Sequence, residues 1–327
     1  MQIKKKHIHF GIIIIAILAV GLVYYAAQQK NEAIEKGALD EEPKASWIVD
    51  ENGYLYYPDN REDVKFRRED YGIEGNISIH KIIYQSRNGN IYGLLVLPTS
   101  AEELLPGVVL LPGAGVSKES ELGLAKKIAG LGAAVLTIDQ RGVGETNGYF
   151  PALDGDYAGF LKGQEPVQHL MVYDALRAYD LLKKAPFTDS DRVIIAGESL
   201  GGRIAVIAAA IEKDINGVLA ISSAGLGFEP KGDKSKDNFL LSIDSEHYIG
   251  MITPRKLVMM HNANDSNIPL SSAIRAFSKA EEPKQFVLVN DTACNHGYCD
   301  SMYDGLVDAL DYLVDIKSRT LVSVPDR

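Results

Sequence analysis

From Ile77 onward the chain alternates short apolar runs with amphipathic stretches, and no other feature restricts its fold so much. GVVLLPG, AAVLTID, DRVIIAG, NGVLAISS, RKLVMMHN and KQFVLVN are apolar almost throughout, the pattern of strands buried on both faces. Between and after them lie helical stretches such as SKESELGLAKKIAGLG, VQHLMVYDALRAYDLLKKA, SLGGRIAVIAAAIEK, IPLSSAIRAFSKA and SMYDGLVDALDYLVDIKS. This alternation predicts an α/β fold: a mostly parallel central sheet, right-handed crossovers and helices on both faces. ISIHKIIYQS and IYGLLVLP flank Arg87-Asn88-Gly89-Asn90, and Asn-Gly between two strands predicts an antiparallel hairpin at one edge. Ser117 is the expected cap of the first helix and Gly132 its stop.

The segment before this domain is of another kind. Phe10–Ala27 is an uncharged apolar run of 18 residues, nearly enough to span a hydrocarbon core about 30 Å thick. Tyr24 and Tyr25 fall where an interfacial aromatic belt would lie. A cleaved leader is the alternative, but the pair Ala26-Ala27 follows two tyrosines and makes a poor cleavage site. Residues 1–30 are therefore read as a cytoplasmic tip and a single signal-anchor helix. Lys4, Lys5 and Lys6 before the run favour an inside N-terminus and an extracytoplasmic body. Residues 31–75 are expected to form a juxtamembrane stalk and an N-terminal extension, in which WIVDENGYLYY suggests a strand or hairpin. Residues 76–327 are expected to be the α/β domain, to which the chemically informative motifs belong. Beyond residue 30 the chain carries 30 basic and 44 acidic side chains. Such a body repels phosphate backbones, so nucleic acid is not an expected partner.

The chemistry is concentrated in VIIAGESLGG, residues 193–202. Gly197-Glu198-Ser199-Leu200-Gly201 fits G-x-S-x-G between a buried strand and a helix. A serine on so sharp a turn stands clear of the sheet at a helix N-terminus. Gly197 and Gly201 form the elbow around it, removing Cβ atoms that would collide. The alternative is an ordinary glycine-rich turn with a capping serine. The stretch from Ile77 to the C-terminus resembles the α/β-hydrolase superfamily, most closely the branch of dienelactone hydrolases, small esterases and prolyl oligopeptidase-like catalytic domains. The doubled glycine after Leu200 carries part of this resemblance. Asp139-Gln140-Arg141-Gly142-Val143-Gly144, similar to the D-x-R-G-x-G loop of that branch, carries the rest.

The resemblance implies Ser199 as nucleophile, then an acid, then a histidine base in chain order. His296 follows the last strand, in Cys294-Asn295-His296-Gly297, and is the expected base; His247 is a second candidate, and His261 reads as a packing or loop residue. Asp265 follows RKLVMMHN shortly before Pro269 and is the expected acid, whereas Asp291 and Asp300 read as turn and cap residues. The oxyanion hole is expected from the backbone N–H of Leu200 and of Ala114, with Gly115 the alternative to Ala114. Pro112 stands where the branch often has histidine. No organic cofactor is implied.

Cys294 and Cys299 bracket His296. In an oxidising compartment they are expected to form a small disulfide loop, and elsewhere to remain two buried thiols. Metal ligation by Cys, His and Cys would need a fourth ligand and would take the imidazole out of catalysis, so no metal is expected. Residues 223–253 are expected to form a short cap. Tyr149, Phe150, Tyr157 and Phe160 in segment 146–166 are expected to supply another pocket wall.

The expected function is hydrolysis of a small carboxylic ester through an acyl-enzyme. A peptidase acting on short peptides is the second reading; it would need an acidic cluster for the substrate amine, for which Glu119, Glu121 and Glu198 are candidates. A non-catalytic surface binding protein with the same fold is the third.

Overall fold

The computed structural model describes residues 47–58, 61–101 and 103–316. They fall in one compact unit beginning at Trp47. The apolar run Phe10–Ala27 and the polar stretch after it lie outside the described residues. Among the described residues no helix is long and apolar enough to cross a membrane.

The strands are β1 (Ile48–Val49), β2 (Leu55–Tyr56), β3 (Phe66–Glu74), β4 (Ile77–Ser86), β5 (Gly89–Pro98), β6 (Leu105–Leu111), β7 (Ala134–Ile138), β8 (Thr188–Glu198), β9 (Gly217–Ile221), β10 (Lys256–Asn262) and β11 (Lys284–Val289). The helices are α1 (Leu122–Gly130), α2 (Leu153–Phe160), α3 (Val167–Lys183), α4 (Leu200–Ile211), α5 (Lys234–Ser242), α6 (Ser245–Tyr248), α7 (Leu270–Ser278) and α8 (Tyr303–Val314). β1 and β2 pair with each other, and the other nine strands form one sheet in the order β11-β10-β9-β8-β6-β7-β5-β4-β3. β6 to β11 run parallel, while β5, β4 and β3 are antiparallel to their neighbours.

The apolar runs behave as their composition requires. Successive side chains of a strand point to opposite faces, and β8 divides accordingly. Val193 and Ile195 enter one core with residues of α3 and α4, and Ile194 and Ala196 enter the other with residues of α1 and α8. Both faces of the central strands are therefore filled, which is why their sequences show no polar alternation. The hairpin between β4 and β5 turns at Arg87-Asn88, with Asn88 at φ +58°.

Two local expectations change. The hairpin is one strand in from the edge, because β3 pairs outside β4. FRREDYGIE is exposed at every position; with neither face buried it has no apolar periodicity to betray it, and its charges blunt the edge. The sheet thus begins ahead of residue 76. The first helix starts at Leu122 after Glu121, not at Ser117, and Glu121 makes no side-chain cap. Ser117 caps only the turn before it, through Ser120 N–H at 3.4 Å.

The extension before β3 is tied to the body. Arg61 donates to both oxygens of Asp180 at 2.8 Å and to Glu212 at 2.6 Å. The Leu55 N–H donates to the Tyr248 hydroxyl at 2.7 Å, and Tyr54 stacks on His247 at 3.9 Å between ring centroids.

The D-x-R-G-x-G loop acts as a brace. Asp139, fully buried, accepts from the Lys118 N–H at 2.8 Å, the Lys118 ammonium at 2.9 Å and the Glu145 N–H at 2.9 Å. Gly144 at φ +57° lies so close that a Cβ would sit 2.3 Å from the Asp139 carboxylate. Arg141 grips both oxygens of buried Asp174 at 2.7 Å. Charges so far from water persist only when every hydrogen-bonding group is matched.

Candidate active site

The chain leaves β6 toward β7 on one side and later returns to β8 on the other. The crevice at the carboxyl ends of these strands is where an open α/β sheet places its ligand site. Ser199 sits there, directly after β8, with φ +52° and ψ −116°. That backbone is unfavourable for a residue with a Cβ and costs about 1–3 kcal/mol. It persists because neighbours fix it. The Ser199 N–H donates to the Ile221 carbonyl at 3.0 Å. The Ser199 carbonyl accepts from the Ser223 hydroxyl at 2.8 Å and from the Arg203 N–H at 3.2 Å.

The flanking glycines are required by contact. A Cβ on Gly197 would lie 2.4 Å from the Gly201 backbone, and one on Gly201 would lie 2.1 Å from the Leu111 carbonyl oxygen. The first turn of α4 is thereby pressed against the end of β6 and the Pro112 loop. Within that loop the Gln140 side chain donates to the Pro112 carbonyl at 2.7 Å, and Val116 N–H closes a turn on Gly113 O at 3.2 Å over Ala114-Gly115. Gly113 faces the serine, since a Cβ there would be 3.6 Å from Ser199 Cβ. The loop bearing Ala114 and Gly115 thus lies beside the Ser199 turn. Leu200 opens α4, whose unpaired N–H groups and dipole favour negative charge at this spot.

His296 and Asp265 come together across 31 residues. The imidazole Nδ1 lies 2.9 Å from both Asp265 oxygens. Asp265 Oδ1 also accepts from Asn267 N–H at 2.9 Å and Ile268 N–H at 2.8 Å. Burial pushes the Asp265 carboxyl up, but the Ile268 N–H, the His296 imidazole and the Asn267 N–H outweigh it and hold the acid below its ordinary range. The folded-state pKa is depressed, so the stability it adds is present above the ordinary carboxyl range and is lost as pH falls through the lowered value.

The other candidates lie elsewhere or serve other ends. His261 is buried behind Asp265, its Nε2 2.9 Å from the Ile268 carbonyl. His247 stacks on Tyr54 and approaches Asn52 O at 3.0 Å. Asp291 accepts from Ala293 N–H at 2.8 Å, a turn contact; Asp300 pairs with Lys127 at 3.1 Å. Glu119 pairs with Lys118 at 2.7 Å. Tyr157 and Phe160 pack on Phe239 of α5 with centroids 5.3 and 5.5 Å apart, whereas Tyr149 is largely exposed.

The loop that carries His296 is held at several points. The Ser266 N–H donates to the Asn295 carbonyl at 2.8 Å. The Ser222 hydroxyl donates to the Gly297 carbonyl at 3.1 Å. Glu198 accepts from the Tyr298 N–H at 2.6 Å. That last contact links the residue before Ser199 to the residue two beyond His296. Its partner is not visible in sequence, because the residues are 100 positions apart; there Glu198 is the middle position of G-x-S and a candidate for an amine-binding cluster.

Cys294 and Cys299 are joined by a disulfide, with Cα atoms 6.0 Å apart. Sulfurs bonded to each other cannot serve as thiolate ligands, which removes the metal alternative's donors. Closing so short a loop is worth about 2 kcal/mol on a chain-entropy basis. Intact-mass measurement should accordingly show no alkylation before reduction and two alkylated thiols after it. Reduction should lower the unfolding free energy by about that amount; two reactive thiols in the untreated, air-oxidised protein would contradict the bridge.

The family model for acetyl xylan esterase (AXE1) matches residues 58–223. The "Uncharacterized protein YfhR" of Escherichia coli K12 is 27% identical over 169 residues, 47% of this chain and 60% of YfhR. Its O157:H7 counterpart is 28% identical over 142 residues, 42% of this chain and 50% of that protein. The chain therefore spans only half to three-fifths of the curated relatives it matches. Among solved structures, an acetyl xylan esterase from Paenibacillus sp. R4 superposes with TM-score 0.64 at 20% identity, covering 76% of this chain and 88% of that one. Acetyl xylan esterase 1 from Thermoanaerobacterium sp. JW/SL YS485 gives 0.62 at 17% identity, covering 78% and 89%. At such identity these structures establish the α/β-hydrolase fold.

Proposed function

The chain belongs to the acetyl xylan esterase family of α/β-hydrolases, and on that footing we propose that it is a serine esterase acting on small acyl esters, acetyl esters first among them. In this reading the Ser199 hydroxyl attacks the ester carbonyl while His296 Nε2 accepts its proton. Asp265 holds the other ring nitrogen in the donor state and stabilises the imidazolium. The N–H groups of Leu200 and Ala114 receive the oxyanion. The imidazolium returns the proton to the departing alcohol, leaving an acyl-Ser199 ester. Water, deprotonated by the same imidazole, then releases the acid. The supporting observation is the convergence at one crevice: a serine in strained backbone, and a His296–Asp265 pair whose loop is fastened to that serine's own turn.

A substrate panel tests this. The full-length protein should hydrolyse p-nitrophenyl acetate and acetylated xylo-oligosaccharides, and aminoacyl amides at least about 100-fold more slowly. Amide turnover exceeding ester turnover would replace the esterase reading with the peptidase one.

The N-terminal run supports a further part of the proposal, that the enzyme is held to a membrane by an uncleaved helix over Phe10–Ala27 with its catalytic body outside the cytoplasm. The full-length protein should sediment with membranes and be released by detergent but not by high salt. N-terminal sequencing of that material should read from residue 1 or 2, and a mature chain starting near Gln28 would reject the anchor.

A further inference from the structure

The backbone directly after His296 is held by two side chains that the reaction described above does not use. Glu198 ends β8 and stands in register with Ile221, the last residue of β9. Glu198 and Ser222 therefore adjoin at the carboxyl ends of neighbouring strands. The Glu198 carboxylate accepts from the Tyr298 N–H at 2.6 Å, and the Ser222 hydroxyl donates to the Gly297 carbonyl at 3.1 Å. That carbonyl and that N–H belong to a single peptide group. A peptide group is planar and rigid, so bonds to both its polar ends fix its position and its tilt (one bond would leave it free to turn about the contact). Gly297 is fitted to the arrangement. Its φ is +78°, and a Cβ there would be 3.2 Å from Glu198 Oε2.

Ser222 occupies a backbone it does not favour. It is fully buried at φ +47°, a region unfavourable for a residue with a Cβ. Its N–H donates to the Met260 carbonyl at 2.8 Å. The next hydroxyl, that of Ser223, donates to the Ser199 carbonyl at 2.8 Å. The two serines after β9 thus reach the loop of the base and the turn of the nucleophile. Glu198 joins the same two parts, since it precedes Ser199 in the chain.

We propose that Glu198 and Ser222 are positioning residues that together clamp the Gly297–Tyr298 peptide and so hold the His296 imidazole where its Nε2 meets the Ser199 hydroxyl. The proposal rests on the esterase reading for its effect on turnover, though not for the clamp itself. Asp265 fixes the imidazole at Nδ1, but that contact alone lets the ring swing about it. Backbone anchors remove the freedom. On one side of His296 the Ser266 N–H holds the Asn295 carbonyl at 2.8 Å. On the other side stands the clamp, built from the two strands that also fix the Ser199 turn. A charged acceptor suits the task, because charge-assisted hydrogen bonds are about twice as strong as neutral ones.

Hydrogen–deuterium exchange of the full-length protein in detergent reads the clamp without turnover. Glu198→Ala should speed exchange of the Tyr298 N–H by at least about 10-fold, since its acceptor is gone. Ser222→Gly removes the other contact with a residue that suits φ +47°, so the fold is not put at risk. It should speed exchange of the same N–H by at least about fivefold, although Ser222 does not touch it. Turnover of p-nitrophenyl acetate reads the consequence. Each variant should lower kcat by about 10–100-fold, as a slightly displaced catalytic group does, with KM within about twofold. Glu198→Gln keeps an oxygen that accepts from the Tyr298 N–H and should recover most of that loss. Because both side chains act on one peptide, the double variant Glu198→Ala/Ser222→Gly should fall within about threefold of the worse single one. Wild-type kcat in Ser222→Gly, Tyr298 exchange unchanged in it, or losses that multiply in the double variant would overturn the clamp. If Glu198→Ala does not fold, the exchange and turnover of Ser222→Gly decide alone. Unchanged exchange beside an inactive Ser199→Ala would reject the clamp and leave the esterase reading intact. Full turnover in Ser199→Ala would reject the esterase reading, and the exchange rates would still decide the clamp.

Discussion

Replacing Ser199 by alanine is expected to lower ester turnover by about 10⁴–10⁶-fold, with a residual acceleration over water from binding and oxyanion stabilisation alone. His296→Ala should do nearly the same harm, because nucleophile and base act as one unit. Asp265→Asn should be somewhat milder, since orientation is lost rather than the base itself. The fold should be indifferent to Ser199→Ala. The serine sits at the crevice, half-buried, and its backbone rather than its hydroxyl is what Ile221, Ser223 and Arg203 hold. The same geometry separates strain from chemistry. Ser199→Gly removes the Cβ from a backbone at φ +52° and should raise the unfolding free energy by about 1 kcal/mol, while being as inactive as the alanine variant. Turnover of p-nitrophenyl acetate, labelling by a fluorophosphonate and urea denaturation decide the matter together. Wild-type turnover in Ser199→Ala would end the nucleophile assignment and the esterase mechanism built on it.

Gly201→Ala should be the most disruptive single methyl addition at the site. Its Cβ would lie 2.1 Å from the Leu111 carbonyl oxygen and 2.6 Å from the Pro112 carbonyl oxygen. Both are backbone atoms, so no side chain can swing aside. To admit the methyl, α4 must move off the end of β6, which separates the first turn of the helix from the loop bearing Ala114. Overpacking in a closed core costs about 1–3 kcal/mol even where side chains can adjust, and a rigid backbone contact belongs at or above that range. Against a typical stability of about 5–15 kcal/mol, the variant should fold marginally or fail to accumulate. Any folded fraction should react poorly with a fluorophosphonate, because both the serine and its oxyanion donors are displaced. Gly123→Ala is the internal control: its added Cβ meets nothing within 4 Å. A Gly201→Ala protein with the control's urea midpoint and labelling rate would refute the contact argument.

The amino-acid sequence by itself determined the class of fold and the location of the sharp turn at Ser199. The central strands must be apolar on both faces because helices cover both, so Val193 to Ala196 announce themselves without reference to any partner. Gly197 and Gly201 are dictated locally as well, since the turn around Ser199 leaves no room for a Cβ. Chain order placed His296 and Asp265 after it, and their 2.9 Å contact agrees with that order. The tertiary structure alone decided what lacks local periodicity or depends on distant partners. β3 is a strand because β4 offers it an edge, not because its charged sequence favours one. α1 begins at Leu122 because Lys118 is drawn to Asp139 and Glu145, leaving the preceding residues in turns. In sequence Glu198 is the variable letter of a motif and, with Glu119 and Glu121, only one candidate for an amine-binding cluster. That Glu198 accepts from the Tyr298 N–H depends on β8 and the loop after β11 meeting at one crevice. A linear pattern records which residues a turn can accept. It does not record which distant backbone groups the folded chain brings against that turn.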